Sequence, residues 1–441
     1  MILIGKSGAS AARSALELTA QNIANAGNTT YARRSLNLTE VAATGGIGLS
    51  DSAALSGVRA ESVKRTQALF LQTEVRRTGS DIARAEAELK GLRNAESAVE
   101  QAGIYPAIVE FEAKLSQLVS DPLDGSLRAD ALEAARTLTQ TFAIASEGLG
   151  VAGDELRFDA ADGVEQVNII AGELARTNIG IARAQDGSVN KAALLDQRDS
   201  LLTRLSTYTG INTQFDTVGR VSVSVGGAGG PALVNGVSWT PLGMTVQADN
   251  TLQFSVAGNP VTLTSGSLVG QSQGIEQINV QLGKLDSLAQ LLIQRTNDAQ
   301  ANGVTPAGTP GQPLFSGTDA TDIGIAMADG SGLATAPAGA GANSRDISNL
   351  MALREALANG GPAQFADRML FELSSTISGR GITRDALQTI AETAEVALTA
   401  ETGVDLDTEA ANLIRFQQAF QASGRVIQVA ADIFDTMLGI R

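Results

Sequence analysis

The sequence predicts a mainly α-helical protein with a small inserted β-domain. Its terminal helices are expected to pair as a coiled coil, around a helical-bundle body with an outward-facing β insertion. Three observations carry this. Apolar residues recur every seven positions at both ends of the chain. Long amphipathic segments, rarely broken by proline, fill most of the sequence between them. From 209 to 266 only Asp216, Arg220 and Asp249 are charged, and the chain breaks into short runs divided by Gly and Asn turns.

The C-terminal pattern is the stronger. Leu406, Leu413, Phe420, Ile427 and Phe434 stand seven apart, with Phe416, Ala430 and Met437 three places after three of them. Asp405, Asp407 and Glu409 lie where a helix dipole favours negative charge. At the other end Ile2, Ala9, Leu16 and Ile23 repeat at the same interval, with Ala12, Thr19 and Ala26 between. One seam is built of small residues and the other of large ones, so the two can interdigitate. A small partner cannot cover Phe416, Phe420 and Phe434 together, so both termini are expected to be largely mobile before assembly.

Composition limits the rest. The 441 residues suffice for two or three domains. They are 43% hydrophobic but 4% aromatic, so cores must be built from Ala, Leu, Ile and Val. A net charge of -15 argues against nonspecific binding to nucleic acid or anionic lipid. Absence of Cys removes disulfides and thiolate metal sites, and absence of His removes the commonest general base. No apolar run approaches the ~18 residues of a membrane span. The start, MILIGKSGAS, lacks a basic n-region and a long h-region, so export without a cleaved signal is expected.

In chain order, a first helix is predicted over 4–26, stopped by Gly27-Asn28-Thr29-Thr30. An extended connector over 31–57 follows, with a short strand or two. Ala68, Leu71, Val75, Ile82, Ala85, Leu89, Leu92 and Val99 mark a second long helix. Arg59, Lys64, Arg65, Arg76, Arg77, Asp81, Glu86 and Glu88 read as its solvated surface. Ile108, Phe111, Leu115 and Leu118 give a third helix, and further ones are expected over 127–149 and 164–183. Leu194, Leu195, Leu201, Leu202 and Leu205 mark another. The β region, with the sole tryptophan Trp239, is expected to be an independent outer domain. Helix resumes over 268–295. Residues 302–345 read as a long loop with one short strand pair. Helices are expected again over 347–359 and 365–378, then from Asp385 into the terminal heptads. The domain division is 1–56 with 400–441, 57–208 with 267–399, and 209–266.

No residues point to chemistry. Gly226-Gly227-Ala228-Gly229-Gly230 leads into proline and a strand, not the strand-loop-helix of a phosphate cradle. Asp405, Asp407 and Glu409 alternate as in a calcium loop but lack its glycine and terminal Glu. No catalytic, cofactor-binding or metal-binding residue is assigned, and no enzyme activity is expected.

The segment ALELTAQNIANAGNTTYARR resembles the N-terminal motif of the bacterial flagellar rod, hook and hook-associated proteins, an Asn-Asn-Ile-Ala-Asn run before a Tyr and an Arg. Asn22, Ile23, Ala24, Asn25, Tyr31 and Arg33 match, while Gln21 and Thr30 depart from it. The segment EAANLIRFQQAFQASGRVIQVAADIFDTMLGI resembles the matching C-terminus. Leu194 to Asp199 and Phe70-Leu71 resemble the branch of the family that joins hook to filament. Gln197, Arg198 and Asp199 read as a hydrogen-bond and ion-pair cluster on a helix surface that locks the body.

The resemblance implies terminal helices packed as an inner tube, a helical layer around it and inserted domains facing outward. It implies an extracellular adaptor in the flagellum, passed through the type III channel. Its implied partners are copies of itself in a ring, hook protein, a second junction protein (hook-associated protein 3) and a chaperone holding the C-terminal helix. Two alternatives stay open: another axial subunit of the same family, or an extracellular sugar-binding or hydrolytic protein acting through the β-domain.

Overall fold

The structure is a computed structural model that describes residues 1–40 and 57–439. Most of the connector predicted over 31–57 falls on residues 41–56, outside the described residues. The part before them is strand β1 (Arg34–Glu40), which pairs antiparallel with β2 (Val58–Arg65). The ends of the chain form α1 (Ile2–Ala24) and α9 (Leu406–Gly439), and the two pack against each other.

The body is built from α2 (Leu69–Ala102), α3 (Ile104–Leu118), α4 (Gly125–Arg183), α5 (Val189–Tyr208), α6 (Ser267–Ala301), α7 (Ser348–Ala358) and α8 (Pro362–Thr402). Its larger core joins Val99, Ile108, Phe111, Leu115, Leu138, Phe142, Leu149, Leu288 and Leu292 with Leu353 and Met369. Helices α2 and α6 cross closely because glycine faces glycine. A Cβ on Gly91 would stand 3.1 Å from Gly274 Cα, and one on Gly270 only 2.1 Å from the Arg84 carbonyl oxygen.

Helix α4 corrects the expectation of two helices. It runs unbroken for 59 residues, ~88 Å at 1.5 Å per residue. Ala145, Leu149, Ala152, Leu156, Ala160, Val164 and Val167 carry burial straight through the predicted gap. Two glycines of α4 sit at packing contacts: a Cβ on Gly148 would meet Ala98 Cβ at 3.0 Å, and one on Gly163 would meet Leu268 Cδ2 at 3.0 Å. In the same way α8 runs through Gly379 and Gly381, where a break was expected before Asp385. Between those glycines Arg380 Nε lies 3.0 Å from a carboxylate oxygen of the buried Glu88, which pins the helix to α2.

The β region forms two antiparallel sheets. One orders β3 (Ile211–Phe215), β4 (Val221–Val225), β5 (Ala232–Asn235) and β6 (Ser238–Trp239); the other orders β7 (Leu242–Val246), β8 (Leu252–Val256) and β9 (Asn259–Val261). It is not independent of the helices. Val221, Val223, Val225, Leu233, Val234 and Phe254 share one core with Val164, Val167, Ile170 and Leu174 of α4 and Leu201, Leu202 and Leu205 of α5. Asn178 clamps the first sheet, donating to the Val221 and Gly236 carbonyls and accepting from Val221 N at 2.8, 2.6 and 2.9 Å. Asn168 does the same for the second at the Leu242 backbone.

Residues 302–345, expected as a loop with one strand pair, hold two: β10 (Gly303–Val304) with β13 (Ala336–Pro337), and β11 (Phe315–Ser316) with β12 (Gly324–Ile325). The segment is core material. Phe315 is buried edge-on against Phe111, with ring centroids 5.9 Å apart. Buried Arg128 reaches in from α4 and donates to the Pro122, Gly330 and Leu333 carbonyls and to Thr335 Oγ1. No carboxylate faces it among its hydrogen bonds, and burial lowers its pKa to about 10.

Candidate functional site

The flagellar-like motif at the end of α1 folds into a polar turn that is exposed over 27–30 and anchored at its ends by the buried Asn22 and Tyr31. Asn22, in the last turn of α1, accepts from the Tyr31 hydroxyl at 2.7 Å and from Arg34 N at 3.2 Å, and donates to the Arg34 carbonyl at 2.8 Å. A single side chain thus ties the helix end to the start of β1. Asn25 stays local, donating to the Gln21 carbonyl at 2.8 Å. The Arg34 guanidinium lies 4.7 Å from the Tyr31 ring centre. Burial pushes the Tyr31 hydroxyl pKa up, and Arg34 opposes that shift.

Below the turn lies a cluster of charges from four segments. Asp196 of α5 accepts from Arg34 Nη2 and Arg65 Nε, both at 2.6 Å. Asp199, one turn on, accepts from Arg65 Nη2 at 2.8 Å, Gln72 Nε2 at 3.1 Å and the neighbouring Arg198 at 2.6 Å. Arg198 also donates to the Gly219 carbonyl at 2.5 Å and stacks 4.5 Å over Phe215, reaching the β region. Burial pushes the Arg198 and Arg76 guanidiniums below the usual arginine range, with Asp199 acting the other way.

These placements correct two expectations. Of Gln197, Arg198 and Asp199, expected on a helix surface, only Gln197 is exposed; Arg198 and Asp199 are buried, as is Asp196 beside them. Arg65, Arg76 and Glu88, read as solvated, are buried as well. The separation in sequence explains both: Arg34 and Asp196 lie 162 positions apart. No local pattern shows that they meet.

The same joint holds the last helix. Arg33 Nε donates to Glu409 at 2.7 Å, and Glu409 is only 1% exposed. Arg33 N donates to the Thr402 carbonyl at the end of α8. Asp405 caps α9 by accepting from Thr408 N at 2.6 Å. Both connections between body and terminal helices therefore cross at one level.

Along the terminal pair, α1 supplies the small side. A Cβ on Gly5 would stand 2.7 Å from Ile427 Cγ1 and 3.2 Å from the Ser423 carbonyl, and one on Gly8 2.8 Å from Ser423 Oγ. Ala9, Leu16 and Ile23 are half-buried on α1, and Leu413, Phe416 and Ile427 on α9. Ile2, Leu406 and Phe420 are exposed, as are Phe434 at 57% and Met437 at 67%. Ile414, Val429, Ile433 and Leu438 join them, so α9 carries a long uncovered apolar face.

Of the motif residues, the joint gathers Asn22, Tyr31 and Arg33, while Ile23 and Asn25 stand outside it. Sequence reasoning missed Arg34, Arg65, Asp196 and Glu409 as its other members. The one available signal was the Asp196–Asp199 spacing, which puts two carboxylates on one helix face. Among the described residues no three of His, Cys, Asp and Glu converge as a metal site, and no helix is long and apolar enough to cross a membrane.

The described residues thus form a helical body whose two chain ends pair into one coil, with apolar side chains exposed along the last helix. Residues 89–315 match the model of the flagellar hook-associated protein FlgK helical domain. Residues 400–440 match that of the flagellar basal body rod FlgEFG protein C-terminal. The chain belongs to the flagellar hook-associated protein FlgK family, a family of structural flagellar proteins.

Flagellar hook-associated protein 1 of Bacillus subtilis is 24% identical over 97% of this chain and 96% of its own length. The protein of the same name from Salmonella typhimurium is 24% identical over 70% of this chain and 58% of its own. The solved flagellar hook junction protein FlgK of Burkholderia pseudomallei shares the fold at a TM-score of 0.50 and 24% identity, over 55% of this chain and 46% of that one.

Proposed function

We propose that this protein is the adaptor that joins flagellar hook to filament, built into a ring of identical copies through α1 and α9. The observation that carries the reading is the exposed apolar end of α9, where Phe434, Met437 and Leu438 continue the stripe that meets α1 at Ile427. Its neighbours along the axis are hook protein and a second junction protein, hook-associated protein 3. Before assembly a secretion chaperone covers the apolar face of α9, and export follows the type III channel without a cleaved signal. Neither nucleic acid nor a membrane is a partner, and no catalysis is assigned.

In the free subunit the terminal pair is only marginally held, since Glu409 and Ala430 are the buried residues of α9. Both termini are therefore largely mobile until neighbouring copies cover them. Deletion of the gene followed by electron microscopy tests the adaptor role. Hooks without filaments, with flagellin shed into the medium, are expected; normal filaments would sink the reading. Phe434→Glu should reproduce the deletion while leaving the melting of the body unchanged.

A further inference from the structure

The joint contains a cavity of about 200 Å³ between the turn after α1, helices α2 and α5, and the last turns of α8. Thr30, Arg65, Gln72, Thr203, Arg204 and Thr399 line it. Two buried polar atoms of that lining have no partner. Arg65 Nη1 is a donor without an acceptor, although the side chain is 4% exposed and its other nitrogens bind Asp196 and Asp199. Gln72 Oε1 is an acceptor without a donor. The charged lining of the cavity is Arg65 and Arg204 with Asp199 and Glu395, and in the buried cluster behind it Arg34, Arg65, Arg76 and Arg198 face Asp196 and Asp199, four guanidiniums to two carboxylates. Arg33 and Glu409 neutralise each other and do not change this excess.

From this we infer that the cavity is a binding site for a small protonated oxyanion of the hydrogen-phosphate class. An oxyanion accepts from Arg65 Nη1 and offsets the buried positive excess. Its hydroxyl supplies the donor that Gln72 Oε1 lacks, and the Thr30, Thr203 and Thr399 hydroxyls line the remaining space. Chloride offers no donor and a carboxylate offers none when ionised, so the paired deficit selects the hydroxylated anion. Bound there, the ion touches both body and terminal segments and stiffens the joint between them. The inference stands apart from the adaptor reading, because it concerns the isolated subunit.

Titration of the full chain with inorganic phosphate, by calorimetry against chloride at matched ionic strength, tests it. Saturable binding is expected, with hydrogen exchange slowed in peptides around residues 29–34 and 396–403. Arg204→Gln and Thr399→Val leave the Asp196 and Asp199 ion pairs untouched, and each should weaken phosphate at least about fivefold, a change of ~1 kcal/mol. Absence of saturable binding beyond the chloride control would mean a water-filled cavity and overturn the proposal. Binding of undiminished strength in both variants would place the ion elsewhere and overturn it equally.

Discussion

Truncating Asp196 to alanine should release the terminal helices from the body without unfolding the body. Asp196 holds two arginines by hydrogen bonds of 2.6 Å and accepts weakly from Ala32 N at 3.4 Å. Hydrogen bonds to charged groups contribute about 1.5–3 kcal/mol each, and stranding a buried charge costs about 3–5 kcal/mol. Arg65 keeps Asp199 as a partner at 2.8 Å, so the lower end applies and ~3 kcal/mol is expected. That is roughly a hundredfold in the local opening constant.

Native-state hydrogen exchange reads this directly. Amides near Tyr31, Arg34 and Arg65 should lose roughly a hundredfold in protection, while those of α2 and α6 near Leu92 and Leu288 stay unchanged. Arg13 and Glu17, an exposed pair at 2.9 Å, provide the control: breaking it should cost below ~0.5 kcal/mol. If Asp196→Ala changes protection no more than Glu17→Ala does, the buried cluster does not hold the joint and the reasoning fails.

Gly5→Val should keep α1 and α9 from pairing, because a Cβ there meets Ile427 and Ser423 closely; normal incorporation of the variant at the hook tip would count against it. Arg128→Met should destabilise residues 302–345 by ~2–4 kcal/mol through four lost hydrogen bonds, and Arg128→Lys should not rescue it, with limited proteolysis as the readout. Replacing residues 211–264 by a Gly-Ser linker should unfold the second half of α4, since Val167, Ile170 and Leu174 lose their cover at ~1.5–3 kcal/mol each; circular dichroism matching the intact body would refute this. Glu112→Gln should raise stability at pH 7. Burial holds the Glu112 carboxyl above its ordinary 4.5, against the pull of Arg354, and leaves Oε1 without a partner. A raised folded pKa means stability that is full below 4.5 and lost as pH rises through the folded value. The gain, below ~1 kcal/mol at this half-exposed site, should vanish when melting is repeated at acid pH.

The sequence made the helices legible wherever apolar spacing was regular, and the β region wherever charge vanished. It misled on where two helices end. The helices expected to end at 149 and 378 run on, past Gly148 at a close helix crossing in the first and through Gly379 in the second, which Arg380 and Glu88 hold from outside. The terminal seams were visible because heptads are local. The joint was not, because a charged residue looks the same in sequence whether water or a partner more than a hundred positions away satisfies it. Asn22, Tyr31 and Arg33 were found only through resemblance. Arg198 and Asp199 were seen and assigned to a surface with Gln197, the commoner place for such residues.

The distribution of strength in the molecule has a physical logic. Along the terminal pair contacts are shallow, built on Gly5, Gly8 and alanines, and most of the large side chains of α9 stay open. At the joint contacts are few but buried and charged, with fixed directions. Apolar faces are non-directional and can accept whichever neighbour arrives, whereas guanidinium–carboxylate forks fix an angle. A subunit of a repeating assembly needs both properties in different places. Its contact face must be available to neighbouring axial components, and the orientation of that face relative to the body must be fixed. The buried arginines meet the second need in the one region that all the connecting segments cross. This is also why their cost in desolvation is tolerated there, since replacing them with an apolar joint of equal stability would leave the angle unspecified.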